Sequence, residues 1–330
     1  MPDQIAIIGA GMAGLSCAEA LVSRGHEVRL FDKGRGPGGR MSTRRAATPL
    51  GELRWDHGAQ YFTARSAEFA AAVAAWEADG HVAEWQGRFA RINGDGEIVL
   101  TEPGARQRMV GVPGMNAVIR HMAAALPVEW GARVSAIKGE PGRYGLAFED
   151  GREEGPFARI VVAVPAEQVG DLLVDVAPEL ARVAGVAESA PCWTVMLAWE
   201  AGLDAGFDSA ETAAGPLAWM ARDASKPGRA PGETWVLQAS PEWSQTHIED
   251  APEAVIANLL EAFSQIVPAG GEPAFAAAHR WRYAKVEQPA PAEEETAAAA
   301  RGIFACGDWA RAARVEAAWL SGRRAAMRIG

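Results

Sequence analysis

The chain has 330 residues, 49% of them apolar, with a formal net charge of −10 and a pI near 5.2. That length exceeds one ordinary domain, so two domains are expected. The acidic balance excludes a global basic footprint for nucleic acid, and no run approaches the roughly 18 apolar residues of a membrane-spanning helix.

Cys17, Cys192 and Cys306 are far apart and odd in number, which argues against a disulfide framework and a structural zinc site and fits a reducing compartment. No histidine pair stands at metal-ligand spacing, so no metal is expected. The start, Met-Pro-Asp-Gln, lacks the basic and apolar regions of a signal peptide, so the expected location is the cytoplasm.

In chain order, Ile5 to Ile8 is a β-branched run closed by Gly9 and reads as a buried parallel strand. Met12 to Arg24 carries apolar residues at helical spacing and stops at Gly25. Val28 to Phe31 is a second strand. Gly34 to Gly39 is too glycine-rich for regular structure and is a loop. Ser66 to Asp79 reads as a helix with Phe69, Val73 and Trp76 on one face, and Asn93-Gly94-Asp95-Gly96 turns a hairpin within Phe89 to Leu100. Met115 to Leu126 is an amphipathic helix, Val128 to Trp130 and Val134 to Ile137 are strands before a turn at Pro141-Gly142, and Arg159 to Val164 is another buried strand.

From Pro165 the pattern changes. Trp193 to Trp199 and Thr234 to Ala239 suggest antiparallel strands. Ala254 to Ile266 is a helix, Pro289 to Thr296 an exposed connection, Gly302 to Cys306 a last strand and Glu316 to Met327 a last helix.

The first chemical motif is Gly9-x-Gly11-x-x-Gly14, placed between a strand and a helix. Gly9 makes the tight turn, Gly11 lets a pyrophosphate approach, and Gly14 lets the helix pack on the strand. The amides from Met12 and Ala13 onward open the helix toward the phosphates. Asp32, followed by Lys33, ends the second strand, where a carboxylate accepts from ribose hydroxyls. Next comes Gly36-Pro37-Gly38-Gly39-Arg40-Met41, and late in the chain Phe304-Ala305-Cys306-Gly307-Asp308-Trp309 reads as strand, Gly-Asp and helix. No GxSxG elbow is present.

These features resemble FAD enzymes of the flavin amine oxidase superfamily. In that resemblance Arg40 meets the pyrophosphate, Asp308 binds the ribityl chain, amides near Val315 and Glu316 face the flavin pyrimidine edge, and Val134 touches adenine through its backbone. GGRMSTRR at 38–45, Asp56-His57-Gly58-Ala59-Gln60-Tyr61-Phe62, the stretch Ala221 to Arg229, His279-Arg280-Trp281-Arg282-Tyr283, and Gly307-Asp308 with Arg314-Val315-Glu316 and Trp319-Leu320-Ser321-Gly322 resemble the bacterial renalase-like group over nearly the whole chain.

The resemblance implies an α/β plus α+β fold. An FAD-binding Rossmann-like domain of the p-hydroxybenzoate hydroxylase type (1–64, 105–165 and 285–330) carries an amine-oxidase-like antiparallel cap (65–104 and 166–284). It implies non-covalent FAD, held also by Gly39, Met41, His57, Gly58, Ala59 and Arg314. It further implies oxidation of mis-reduced dihydronicotinamide isomers of NAD(P)H, with O2 as acceptor. A flat donor calls for an aromatic pocket with few polar anchors; Gln60, Tyr61, Trp219, Arg222, His247, Trp281 and Tyr283 are the candidates, with His279 in a structural role. A flavin amine oxidase or desaturase shares every FAD motif, and a non-catalytic flavoprotein is the remaining alternative.

Overall fold

The computed structural model describes residues 4–102, 104, 106–213, 215–268, 271–290 and 299–329. The chain divides into two compact units. The first comprises Met1–Gly39, Ile119–Ser189 and Lys285–Gly330. The second comprises Arg40–Val118 and Ala190–Ala284.

The first unit is built on a five-stranded sheet. Its order is Ile303–Ala305, Arg159–Val162, Ile5–Ile8, Val28–Asp32 and Val128–Trp130, and every pairing is parallel. Ile5–Ile8 is buried along its whole length, as a central parallel strand requires. Ile8, Phe31 and Val162 share a core with an antiparallel meander of Val134–Glu140, Arg143–Phe148 and Glu153–Phe157. Phe31 meets Phe148 and Phe157 edge-on at 5.2 and 5.9 Å. The helices Met12–Val22 and Val315–Ile329 cross closely because Gly322 has no side chain. A Cβ there would lie 2.1 Å from the Ala13 carbonyl oxygen, and Ser16 Oγ donates to the Trp319 carbonyl at 2.6 Å across the same crossing.

The second unit is built on a seven-stranded sheet, ordered Phe275–Gln288, Glu188–Trp199, Glu233–Ala239, Leu217–Arg222, Ser209–Thr212, Phe89–Ile92 and Ile98–Leu100. Its two faces differ. On one, Val195, Leu197, Met220, Trp235 and Leu237 form a core with Val255, Leu259 and Phe263 of the helix Pro252–Ser264. On the other, the hairpin of Thr43–Thr48 and Gly51–Asp56 lays Leu53 and Trp55 on Met196, Ala198 and Val236. Trp55 stacks on Phe275 at 4.9 Å and donates its indole N–H to the Leu197 carbonyl at 2.9 Å.

The expected strands and helices form within a few residues of their expected ends. The connection expected over 289–296 lies, from 291 onward, outside the described residues. Three departures have physical causes. Residues 40–64, expected with the nucleotide domain, lie in the second unit, because Trp55 packs on that unit's sheet. Residues 105–118 join them, since Met109–Gly111 pairs with Val82–Glu84. Residues 166–189, expected in the cap, form the helices Ala166–Leu173 and Pro178–Ala184, which bury Val169, Leu173, Leu180 and Val183 in the first unit's core.

Candidate active site

In the first unit the glycine turn has the geometry its motif requires. Gly9 adopts φ +102°, and a Cβ there would meet the Ala163 carbonyl oxygen at 2.5 Å. A Cβ on Gly14 would lie 1.9 Å from the Gly9 carbonyl oxygen. At Gly11 a Cβ would meet no described residue within 4 Å beyond its own chain neighbours, so the backbone there is open to approach. Met12–Val22 starts directly after Gly11 with no side-chain cap and no acid in its first turn, which leaves its N-terminal amides and positive dipole end for an anion. Met12 and Ala13 are themselves buried in the turn. Asp32 accepts from the Ala10 and Gly34 amides, each at 2.6 Å. A carboxylate offers about four lone-pair sites, so both oxygens keep capacity for ribose hydroxyls. Lys33 donates to Gln168 at 3.0 Å.

At the same carboxyl-terminal end of the sheet, after its edge strand Ile303–Ala305, Gly307 donates its amide to Ser321 Oγ at 3.1 Å. It must be glycine, since a Cβ would run into the Trp309 indole at 2.3 Å. Asp308 is buried and follows the strand Ile303–Ala305. Exposed Arg314 precedes the helix, and the first turn of Val315–Ile329 carries Val315 and the buried Glu316. Val134 is a core residue that opens its strand opposite Phe148. The glycine cradle, the ribose acid and the two helix starts fit the parts of FAD: pyrophosphate, adenosine ribose, ribityl chain and pyrimidine edge.

In the second unit, Gly58 pins the segment around Arg40 and Met41. A Cβ on Gly58 would lie 2.1 Å from the Arg40 carbonyl oxygen, and the Ala59 amide donates to that oxygen at 2.9 Å. Gly39 itself adopts φ +54°. His57 is buried and neutral, pushed down to about 4 by burial, the His279 imidazole and the Arg44 guanidinium. Its Nδ1 has no hydrogen-bond partner among the described residues. His279 and Trp281 alternate with Arg280 and Arg282 along one strand, so they share a face. The His57 ring lies 4.8 Å from His279 and 5.1 Å from Trp281, and the Trp281 indole donates to the His57 carbonyl at 2.8 Å.

Behind this face is a fully buried ion cluster. The Lys226 ammonium lies 2.7 Å from Asp223 Oδ1, 3.2 Å from Gln60 Oε1 and 3.4 Å from Asp56 Oδ2. Arg229 bonds Asp56 as well as the Gly111 and Pro227 carbonyls. Asp56 Oδ1 accepts from Thr43 Oγ1 at 2.7 Å and the Met115 amide at 2.8 Å. Burial pushes the Asp56 carboxyl up, but Lys226, Arg229 and these two donors outweigh it and bring it down to about 2. Burial and the neighbouring Asp56 raise Asp223.

The structure sorts the substrate candidates. Tyr61 and Trp219 meet at 5.7 Å, and Trp281 joins His57 and His279 on the same side of the sheet. Gln60 is spent on Lys226 and on the Asp56 and Gly58 carbonyls; it is part of the cluster rather than a free polar anchor. Arg222 is opposite Trp235 in register and faces the helix-covered core, where it pairs with Glu233 at 3.1 Å. His247 caps the helix Pro241–Thr246, stacks on Trp243 at 4.1 Å and bonds Asp250 at 2.8 Å. Its carbonyl accepts from Trp193 of that same core. Arg222 and His247 therefore lie on the face opposite Tyr61 and Trp281, because neighbouring strand positions point to opposite sides. Sequence reasoning gave no role to Lys226, Arg229 and Asp223, although they sit in a stretch already marked as distinctive. It gave no role to Arg44, which lies within the GGRMSTRR stretch, and passed over Arg108, which lies in no motif.

Two family models cover the chain. Residues 7–78 match an NAD(P)-binding Rossmann-like domain, and residues 76–330 match the flavin containing amine oxidoreductase model. Among solved structures, a protein from Exiguobacterium sp. 255-15 provisionally described as a protoporphyrinogen oxidase superimposes with a TM-score of 0.80 at 13% identity, over 100% of this chain and 99% of that one. Putrescine oxidase bound to putrescine gives a TM-score of 0.72 at 15% identity, with 100% and 99% coverage. At such identities the likeness is one of fold. Staphylococcus aureus 4,4'-diapophytoene desaturase is 51% identical over 39 residues, 12% of this chain. The chain thus spans only 8% of the curated relatives it matches. The fold and the cradle define an FAD-dependent oxidoreductase. The chain belongs to the flavin-containing amine oxidoreductase family, and its cofactor is FAD.

Proposed function

We propose that the chain is an oxidase of non-standard dihydro isomers of NAD(P)H. The reaction is dihydro isomer + H+ + O2 → NAD(P)+ + H2O2. The observation that carries this reading is the charge around the His57, His279 and Trp281 face. Both imidazoles are held neutral, and Arg44 is among the groups that depress them. The two buried carboxylates nearby, Asp56 and Asp223, are neutralised by Lys226 and Arg229. With no net negative charge to draw an ammonium and the Arg44 guanidinium beside it, such a face favours a flat, uncharged dihydropyridine on an anionic nucleotide.

Bound FAD supplies the two-electron acceptor. The chain's residues orient the donor and exclude water. The Trp281 indole, fixed by the His57 carbonyl, offers a rigid aromatic wall. A dihydropyridine losing hydride becomes an aromatic cation without first shedding a proton, so no general base is needed, and neutral imidazoles suffice. The test is product analysis in air with a borohydride-reduced NAD pool. Equal amounts of NAD+ and peroxide are expected. Peroxide from a panel of amines, with none from the pool, would instead establish an amine oxidase.

A further inference from the structure

Three buried polar atoms without a hydrogen-bond partner among the described residues lie on one side of the second unit's sheet: Arg108 Nη1, Trp219 Nε1 and Ser209 Oγ. The backbone brings them together. Phe62 and Met109 exchange amide bonds at 2.8 and 2.9 Å, which sets Arg108 beside Tyr61. The Arg108 guanidinium stacks 3.7 Å over the Phe89 ring and 5.1 Å from the Tyr61 ring. Ser209 is opposite Phe89 in parallel register, and Trp219 is opposite Glu211 in the neighbouring pairing, so Phe89, Ser209 and Trp219 share a face. The Trp219 ring meets Tyr61 at 5.7 Å.

A buried polar group left without a partner is costly, and such groups are rare in native proteins. Three together, one of them on a guanidinium that forms no ion pair among the described residues, call for an acceptor. A stacked guanidinium keeps its in-plane N–H groups for a bidentate oxyanion.

We propose that Arg108, Trp219 and Ser209 form an oxyanion subsite that takes a phosphate of the hydride donor, with Tyr61 and Phe89 as its aromatic walls. The phosphate assignment rests on the dinucleotide reading above, while the three donors stand independently of it. Such a subsite would favour phosphorylated donors without using a residue that takes part in hydride transfer.

The test is calorimetric titration of the FAD-loaded protein with inorganic pyrophosphate and, separately, with benzoate as a planar carboxylate. Pyrophosphate should bind the wild-type chain, Arg108→Met should weaken it about 10- to 100-fold, and Arg108→Lys should recover part of the loss. Arg106→Met, at an exposed neighbouring arginine, should change nothing. Undiminished pyrophosphate binding to Arg108→Met, or no binding to the wild type, would overturn the subsite. Benzoate binding without pyrophosphate binding would overturn the phosphate assignment. The titration needs no turnover, so a chain that oxidises no dihydro isomer still answers it.

Discussion

Lys226 and Asp56, 170 positions apart, meet at 3.4 Å with neither side chain exposed to solvent. The pair ties two of the stretches that carry the family resemblance, Asp56 to Phe62 and Ala221 to Arg229, into one neutral cluster with Asp223 and Arg229. Removing one member strands the opposite charge in a dry interior, which typically costs 3–5 kcal/mol. Lys226→Met should therefore lower the unfolding free energy by about that amount. Asp223→Asn should cost less than Asp56→Asn, because Asp223 is the carboxyl whose ionised form the cluster favours less. Urea denaturation of the three variants checks the order, and equal losses at the two aspartates would contradict it.

His57 sets a pH dependence. Its folded value of about 4 lies below its ordinary 6.5. Between those pH values the unfolded chain binds the extra proton and the folded chain does not, so stability falls as pH drops from 6.5 toward 4. The shift corresponds to at most about 3 kcal/mol. Thermal unfolding of His57→Gln should show a shallower slope over that window than the wild type. Asp56 acts lower down: its stabilising charge is present above the ordinary carboxylate range and is lost as pH falls through about 2.

Gly11 and Gly14 should separate folding from cofactor binding. Gly14→Ala places a Cβ 1.9 Å from the Gly9 carbonyl and should destabilise the unit outright. Gly11→Ala meets no described residue within 4 Å beyond its own chain neighbours; it should keep the melting temperature of the FAD-free chain and lose FAD affinity, by about tenfold or more. Flavin fluorescence on dilution reads the affinity. A fully retained cofactor in Gly11→Ala would contradict the pyrophosphate assignment.

The thiols should be inert. Cys17 and Cys306 are fully buried, and burial pushes Cys17 up to about 12 and Cys192 up to about 11. A thiolate is the reactive form, so a thiol-specific disulfide reagent should label none of them within minutes in the folded chain. Cys306 lies next to Gly307-Asp308, and with FAD held non-covalently the yellow colour should leave the protein on acid precipitation; colour kept in the pellet would show a covalent link.

The first unit was legible because its chemistry is local. Gly9, Gly11, Gly14 and Asp32 act through backbone geometry within one strand-helix-strand unit, and their spacing is their mechanism. The second unit was less so. The alternation of His279, Trp281 and Tyr283 with Arg280 and Arg282 is a strand pattern, yet the strand Phe275–Gln288 was not expected, because its alanines and charged residues lack the usual β-branched signal. Which sheet face Arg222 and His247 occupy depends on long-range register, and no local motif encodes that. Arg108 became visible only when Phe89 and Tyr61 were seen to flank it.

The most direct test of the proposed activity is anaerobic stopped-flow absorbance of the FAD-loaded protein. One syringe carries a borohydride-reduced NAD pool containing all dihydro isomers, and a second experiment uses pure NADH. Rapid bleaching of the flavin by the pool, with slow bleaching by NADH, is the predicted result. Equal rates, or no bleaching by either, would contradict the oxidase reading and leave the FAD cradle standing alone.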